Sequence, residues 1–126
     1  MTPDTLLLRQ IHPSFVQNGR PTSQAFLPTA KDGDQLSVYD GGKIAPLASW
    51  EHYTSVLGLQ SAGVMAVTFA ECASVALSVI ADGVPFPEHC TIDFSNVTPK
   101  EAKKKAKVLA SFGDSRGWLL EKFQQG

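Results

Sequence analysis

Arg9, Gln10, His12, Ser14, Arg20, Thr22, Ser23 and Gln24 form the densest group of chemistry-capable side chains in the sequence. Within that group Arg9 could hold a phosphate, His12 could transfer a proton and Ser23 could orient a substrate. Arg9 also interrupts an apolar run, Leu6-Leu7-Leu8 before it and Ile11 after it. A charge inside such a strand is costly unless paired, so a carboxylate or a ligand anion is expected beside it, with Glu71 the candidate. Arg9, His12 and Ser23 are therefore the candidate catalytic residues. The plainer reading is structural: Arg9 pairs with Glu71 to satisfy the core, and His12 closes a strand end. No triad motif, nucleophile elbow, phosphate loop or dinucleotide fingerprint runs along the chain, so the balance leans away from an enzyme.

A second group is basic. Lys100, Lys103, Lys104, Lys105 and Lys107 cover the outer side of a predicted helix, and Arg116 and Trp118 follow it. Lys100, Lys103, Lys104, Lys107, Arg116 and Trp118 are the candidate binding residues, for a phosphate backbone or an acidic protein. Few aromatics interleave the lysines, so base stacking is poorly served. A solvated helix face, with Glu101 and Lys105 as an i,i+4 pair, explains the run more simply.

A third group lies on a strand. Alternation in His89-Cys90-Thr91-Ile92-Asp93-Phe94 turns His89, Thr91 and Asp93 to a polar face, and Cys90, Ile92 and Phe94 to the core. An imidazole near carboxylates could act as a base or a metal ligand. No zinc-type Cys/His spacing accompanies it, however, and neither a metal nor a cofactor is expected.

The elements that must position these groups are legible to different degrees. Thr98-Pro99-Lys100-Glu101 opens a helix with a capping box and a proline at its first position. Ala102, Ala106, Leu109 and Ala110 form its apolar stripe, and Gly113 is the predicted stop. Upstream, Thr5–His12 reads as a strand near the middle of a sheet, and Asn18-Gly19 as a turn. Thr22–Leu27 and Leu36–Tyr39 read as further short strands, with Lys31-Asp32-Gly33-Asp34 a turn between them. A helix is predicted from Pro46 to about Leu57, with Leu47, Trp50, Tyr53 or Thr54, and Leu57 inward. Val64–Phe69 then reads as a strand and Glu71–Leu77 as a short helix, although one buried helix over the whole run fits the pattern equally. After Gly113 the tail returns Trp118, Leu120 and Phe123 to the body.

The 126 residues, 43% hydrophobic and 18% charged, fit a single α+β domain spanning 1–126. The expected architecture is a mixed or antiparallel sheet of about four to six strands with two to three packed helices. Residues 98–126 carry seven basic residues against three acidic, while residues 1–97 carry four against nine. The total of −1 disfavours a dedicated nucleic-acid binder. Two cysteines do not make a disulfide framework, no secretory signal opens the chain, and no apolar run is long enough for a membrane span. A cytoplasmic location without membrane association is the expectation.

The run LLLRQIHPSFVQNGRPTSQAF, continuing to LSVYDGG, resembles the opening of small uncharacterised bacterial proteins over about the first third of the chain. That resemblance carries no activity with it. The Arg9 strand, with Tyr39 and Glu71 further on, is also similar to ADP-ribosyltransferase-like toxins, which implies a small nucleotide- or phosphate-recognising enzyme. From the sequence the leading expectation remains a non-catalytic accessory domain that binds another protein or a second copy of itself. An enzyme using Arg9, His12 and Ser23 ranks second, and nucleic-acid binding through the 100–107 lysine helix third.

Overall fold

The computed structural model describes residues 1–29 and 33–123. Its strands are β1 (Leu6–Ile11), β2 (Val16–Gln17), β3 (Arg20–Pro21), β4 (Gln35–Asp40), β5 (Gly63–Thr68), β6 (Ser78–Ile80), β7 (His89–Asp93) and β8 (Leu120–Glu121). Six of them form one antiparallel sheet in the order β6-β7-β4-β1-β5-β8, and β2 and β3 form a separate hairpin. Its helices are α1 (Pro46–Glu51), α2 (Phe69–Ser74) and α3 (Pro99–Arg116). This is the α+β arrangement the sequence predicts, with β1 inside the sheet. No helix among the described residues is long and apolar enough to cross a membrane.

Strand alternation divides the sheet into two packed faces. Leu7, Ile11, Val38, Met65, Val67 and Ile92 point to the face covered by α3, whose Ala106 and Leu109 are buried against it. Leu8, Tyr39, Val64 and Ala66 point to the opposite face, where Trp50, Tyr53 and Phe86 cover them.

The α3 cap forms at Thr98, whose hydroxyl oxygen accepts from the Glu101 N–H at 3.2 Å. The predicted stop at Gly113 is incorrect: the helix runs on to Arg116 and ends at Gly117, at φ 89°. Gly113 is buried inside it, and a Cβ there would lie 3.1 Å from the Phe26 ring. Its lack of a side chain serves close approach, which outweighs its poor helix propensity.

Thr22–Leu27 is not a strand either. Ser23–Phe26 is a 3₁₀ turn that drives Ala25 and Phe26 into the core. Pairing occurs just before it, in the β2–β3 hairpin, where Asn18 and Gly19 both take positive φ as a type I′ turn requires. The turn predicted over residues 31–34 lies partly outside the described residues, although Gly33 and Asp34 do turn.

The helix from Pro46 changes register. After Glu51 it widens into a π-helical turn, His52–Val56, so the 3.6-residue period fails there. Leu57 (39% exposed) consequently faces outward, and Leu47 (48%), ahead of that turn, faces outward as well, contrary to their predicted inward positions. The inner side is Ser49, Trp50 and Tyr53. Ser49 is fully buried and accepts from the Gln10 amide at 3.0 Å, and the Ser61 hydroxyl donates to the Gln10 carbonyl oxygen at 2.8 Å.

Residues 64–80 resolve as strand then helix, and the junction is a full capping box. The Glu71 N–H donates to the Thr68 hydroxyl at 3.1 Å, and the Thr68 N–H donates to the Glu71 carboxylate at 2.8 Å. The same carboxylate takes two hydrogen bonds from Arg116, at 3.0 and 2.9 Å. Glu71 is therefore the partner of Arg116, and the expected Arg9–Glu71 pair does not form. Burial pushes the Glu71 carboxyl up, but Arg116 and the Thr68 N–H outweigh it and leave it below its ordinary value. A lowered folded pKa contributes stability that is present above the ordinary carboxylate range and drains away as pH falls through the folded value. Glu71→Gln is accordingly expected to cost about 2 kcal/mol at pH 7. In urea melts the gap to wild type should narrow steadily below about pH 4. A gap of unchanged width in acid would mean that the ion pair is not its source.

Candidate active site

On β4 the residues Leu36 and Val38 face α3, so Ser37 and Tyr39 face the other way. On β7 the register sets Thr91 opposite Ser37 and His89 opposite Tyr39. The loop after β6 folds back over this corner: the Gly83 N–H donates to the His89 carbonyl, and the His89 N–H to the Phe86 carbonyl, each at 3.1 Å. These bonds carry Asp82 to the edge of the His89 ring.

The result is a continuous relay. Ser37 Oγ lies 3.2 Å from His89 Nε2. His89 Nδ1 lies 2.7 Å from Asp82 Oδ1. Asp82 Oδ2 accepts from the Thr91 hydroxyl at 2.8 Å. Thr91, read from the sequence as part of an exposed polar face, is only 2% exposed because Asp82 and its loop cover it. Burial pushes the Asp82 carboxyl up, yet hydrogen bonds from His89, Thr91 and the Val84 N–H pull it below its ordinary value. Asp82 therefore stays ionised at neutral pH, and a carboxylate facing Nδ1 favours the imidazole tautomer with its proton there. That tautomer leaves Nε2 as the acceptor facing the Ser37 hydroxyl.

Phe86 holds the ring from one side. It packs edge-on to His89 with centroids 5.3 Å apart, lies edge-on to His52 at 4.5 Å and stacks on Tyr39 at 5.1 Å. Burial drives the Tyr39 phenol far above its ordinary range, so it remains protonated, and its oxygen lies in hydrogen-bond contact with His52 Nδ1 at 2.8 Å. This bond ties the π-helical turn to the sheet.

Ser37 and His89 open onto a cleft of about 330 Å³, whose other walls include Arg9, Tyr53, Leu59 and Phe86. At its floor the sheet splits. β1 and β4 pair at Leu7↔Asp40 and Leu8↔Tyr39, and the ladder goes no further. The Arg9 side chain spans the gap, with Nη1 donating to the Ser37 carbonyl at 2.9 Å and Nε to the Ala25 carbonyl at 2.8 Å. Two backbone carbonyls, on Ser37 and Ala25, thus accept from this guanidinium.

Of the three candidate catalytic residues, only Arg9 lines the cleft. His12 Nδ1 accepts from the Ser14 N–H at 3.1 Å and caps the short turn that follows β1. Ser23 opens the 3₁₀ turn. The lysines at 100, 103, 104 and 107 are exposed on α3, which packs on the opposite face of the sheet. Arg116 is held by Glu71 and also donates to the Ala66 carbonyl at 2.8 Å. Trp118 is half-buried against the core, with its indole N–H on the Gly19 carbonyl at 2.9 Å. Burial raises the Cys72 and Cys90 thiols to about 12 and about 11, which makes both poor nucleophiles at neutral pH. Among the described residues no group of three His, Cys, Asp or Glu is placed to hold a metal ion. No protein-family model matches the chain, and no curated protein or solved structure matches it either.

Proposed function

We propose that this protein is a small serine hydrolase, with Ser37 as nucleophile, His89 as general base and then acid, and Asp82 as the residue that orients it. The observation that carries the reading is the Ser37–His89–Asp82 relay, in which each imidazole nitrogen faces the group its role requires. The sequence expectation of a non-catalytic binding domain rested on the lack of a linear motif, and this constellation has none. Such sites are defined by geometry and roles, not by order along the chain.

The reaction follows from the contacts. Ser37 Oγ attacks an acyl carbonyl carbon while its proton passes to His89 Nε2. The tetrahedral adduct collapses, the C–O bond to the leaving group breaks, and the leaving oxygen takes that proton. Water then attacks the acyl-Ser37 carbonyl, gives a proton to His89, and releases the acid as Ser37 recovers its own. Arg9 lines the same cleft and holds the Ser37 backbone carbonyl, which fixes the nucleophile's strand.

An alkyl phosphonofluoridate tests this directly. Ser37 should displace fluoride and gain one phosphonyl group, visible in the intact mass and mapped to the peptide carrying Ser37. His89→Ala should label far more slowly. A folded wild-type protein that stays unlabelled at millimolar reagent would sink the proposal.

A further inference from the structure

Outside the relay, the cleft changes character. Tyr53, Leu57 and Leu59 wall it on the side of the π-helical turn, and Pro85 and Phe86 wall it on the side of the 82–88 loop. Leu57 and Leu59 are 39% and 48% exposed, although both are large and apolar. The cleft onto which Ser37 and His89 open is thus lined largely by apolar side chains. A volume of about 330 Å³ lies near the lower end of the roughly 300–1,000 Å³ range of ligand pockets.

We infer that the substrate is a small ester with an aromatic or branched apolar body, held between Leu57 and Leu59 on one side and Phe86 on the other. The inference rests on the hydrolase reading above and adds the class of compound to it. An aromatic ring gains offset or edge contacts with Tyr53 and Phe86 and removes apolar area of both leucines from water. A long linear acyl chain gains no such ring contacts with Tyr53 or Phe86.

Ethyl acetate, ethyl phenylacetate and ethyl dodecanoate keep the leaving group constant and vary the body. By acid release, kcat/KM for ethyl phenylacetate should exceed that for ethyl acetate by about 10–100-fold, and should also exceed that for the dodecanoate. Leu59→Asp, at an exposed position, should lower the phenylacetate-to-acetate ratio by about tenfold, because a carboxylate then lines an apolar wall. Equal rates, or the dodecanoate fastest, would overturn the substrate class while leaving Ser37 as nucleophile. No turnover of any ester with Ser37 still labelled by the phosphonofluoridate would overturn it in the same way. No turnover and no labelling would remove the hydrolase reading, and this inference with it.

Discussion

Ser37→Ala is expected to lower kcat on the best ester by about 10⁴-fold or more without unfolding the protein. The hydroxyl is the bond-forming atom in the proposed step, and nothing else in the cleft replaces it. The substitution leaves the local structure intact, because Ser37 is exposed and its carbonyl, held by Arg9, belongs to the backbone. His89 retains its Nδ1 bond to Asp82. Asp82→Asn makes a sharper companion. The amide can donate to Nδ1, which moves the imidazole proton to Nε2 and removes the acceptor for Ser37, at a cost of about 10⁴ in kcat. Both variants should show urea midpoints close to wild type for Ser37→Ala and modestly lower for Asp82→Asn, which also loses part of its bond from Thr91. Equal kcat in wild type and Ser37→Ala would assign any observed hydrolysis to another group.

The elements that position this site were legible where one local rule governs them. Thr98-Pro99 with Glu101 announces α3, the alternation around Cys90 and Ile92 announces β7, and Asn18-Gly19 announces a turn, around which the β2–β3 hairpin forms. Gly113 misled because a glycine carries two meanings, a helix stop or a close contact, and the Phe26 ring that decides between them lies 87 positions upstream. Leu57 misled because a π-helical turn rotates everything after it, and no residue type marks such a turn. The Thr68–Glu71 box, by contrast, is written plainly as T-x-x-E and was available to be read. The site itself was only one-third visible. His89 stood out by its chemistry, but Ser37 was an ordinary residue on the polar side of a strand and Asp82 one residue of a loop. Three positions at 37, 82 and 89 become neighbours only through the β4–β7 register and the fold-back of the 82–88 loop, both tertiary facts.

Phe26→Ala should be the most damaging core substitution for both fold and site. Phe26 is fully buried, and truncating a buried phenylalanine costs about 3–5 kcal/mol, part of it from the cavity left behind. For a chain of this length that is a loss of roughly 10–20 °C in Tm. Ala25, its neighbour in the 3₁₀ turn, offers the carbonyl that holds Arg9 Nε, so the turn supports the floor of the cleft as well as the underside of α3. Gly113→Ala makes the argument specific. Alone, its Cβ would crowd the Phe26 ring at 3.1 Å, tight enough to offset the better helix propensity of alanine. In the Phe26→Ala background the crowding atom is gone, the methyl enters the cavity and the helix gains about 1 kcal/mol. The two substitutions should therefore couple favourably, with the double variant more stable than the sum of the single effects by about 1–2 kcal/mol in a denaturant cycle. Strict additivity would mean that Gly113 and Phe26 do not share the contact, and that the small-residue stripe of α3 is set by some other neighbour.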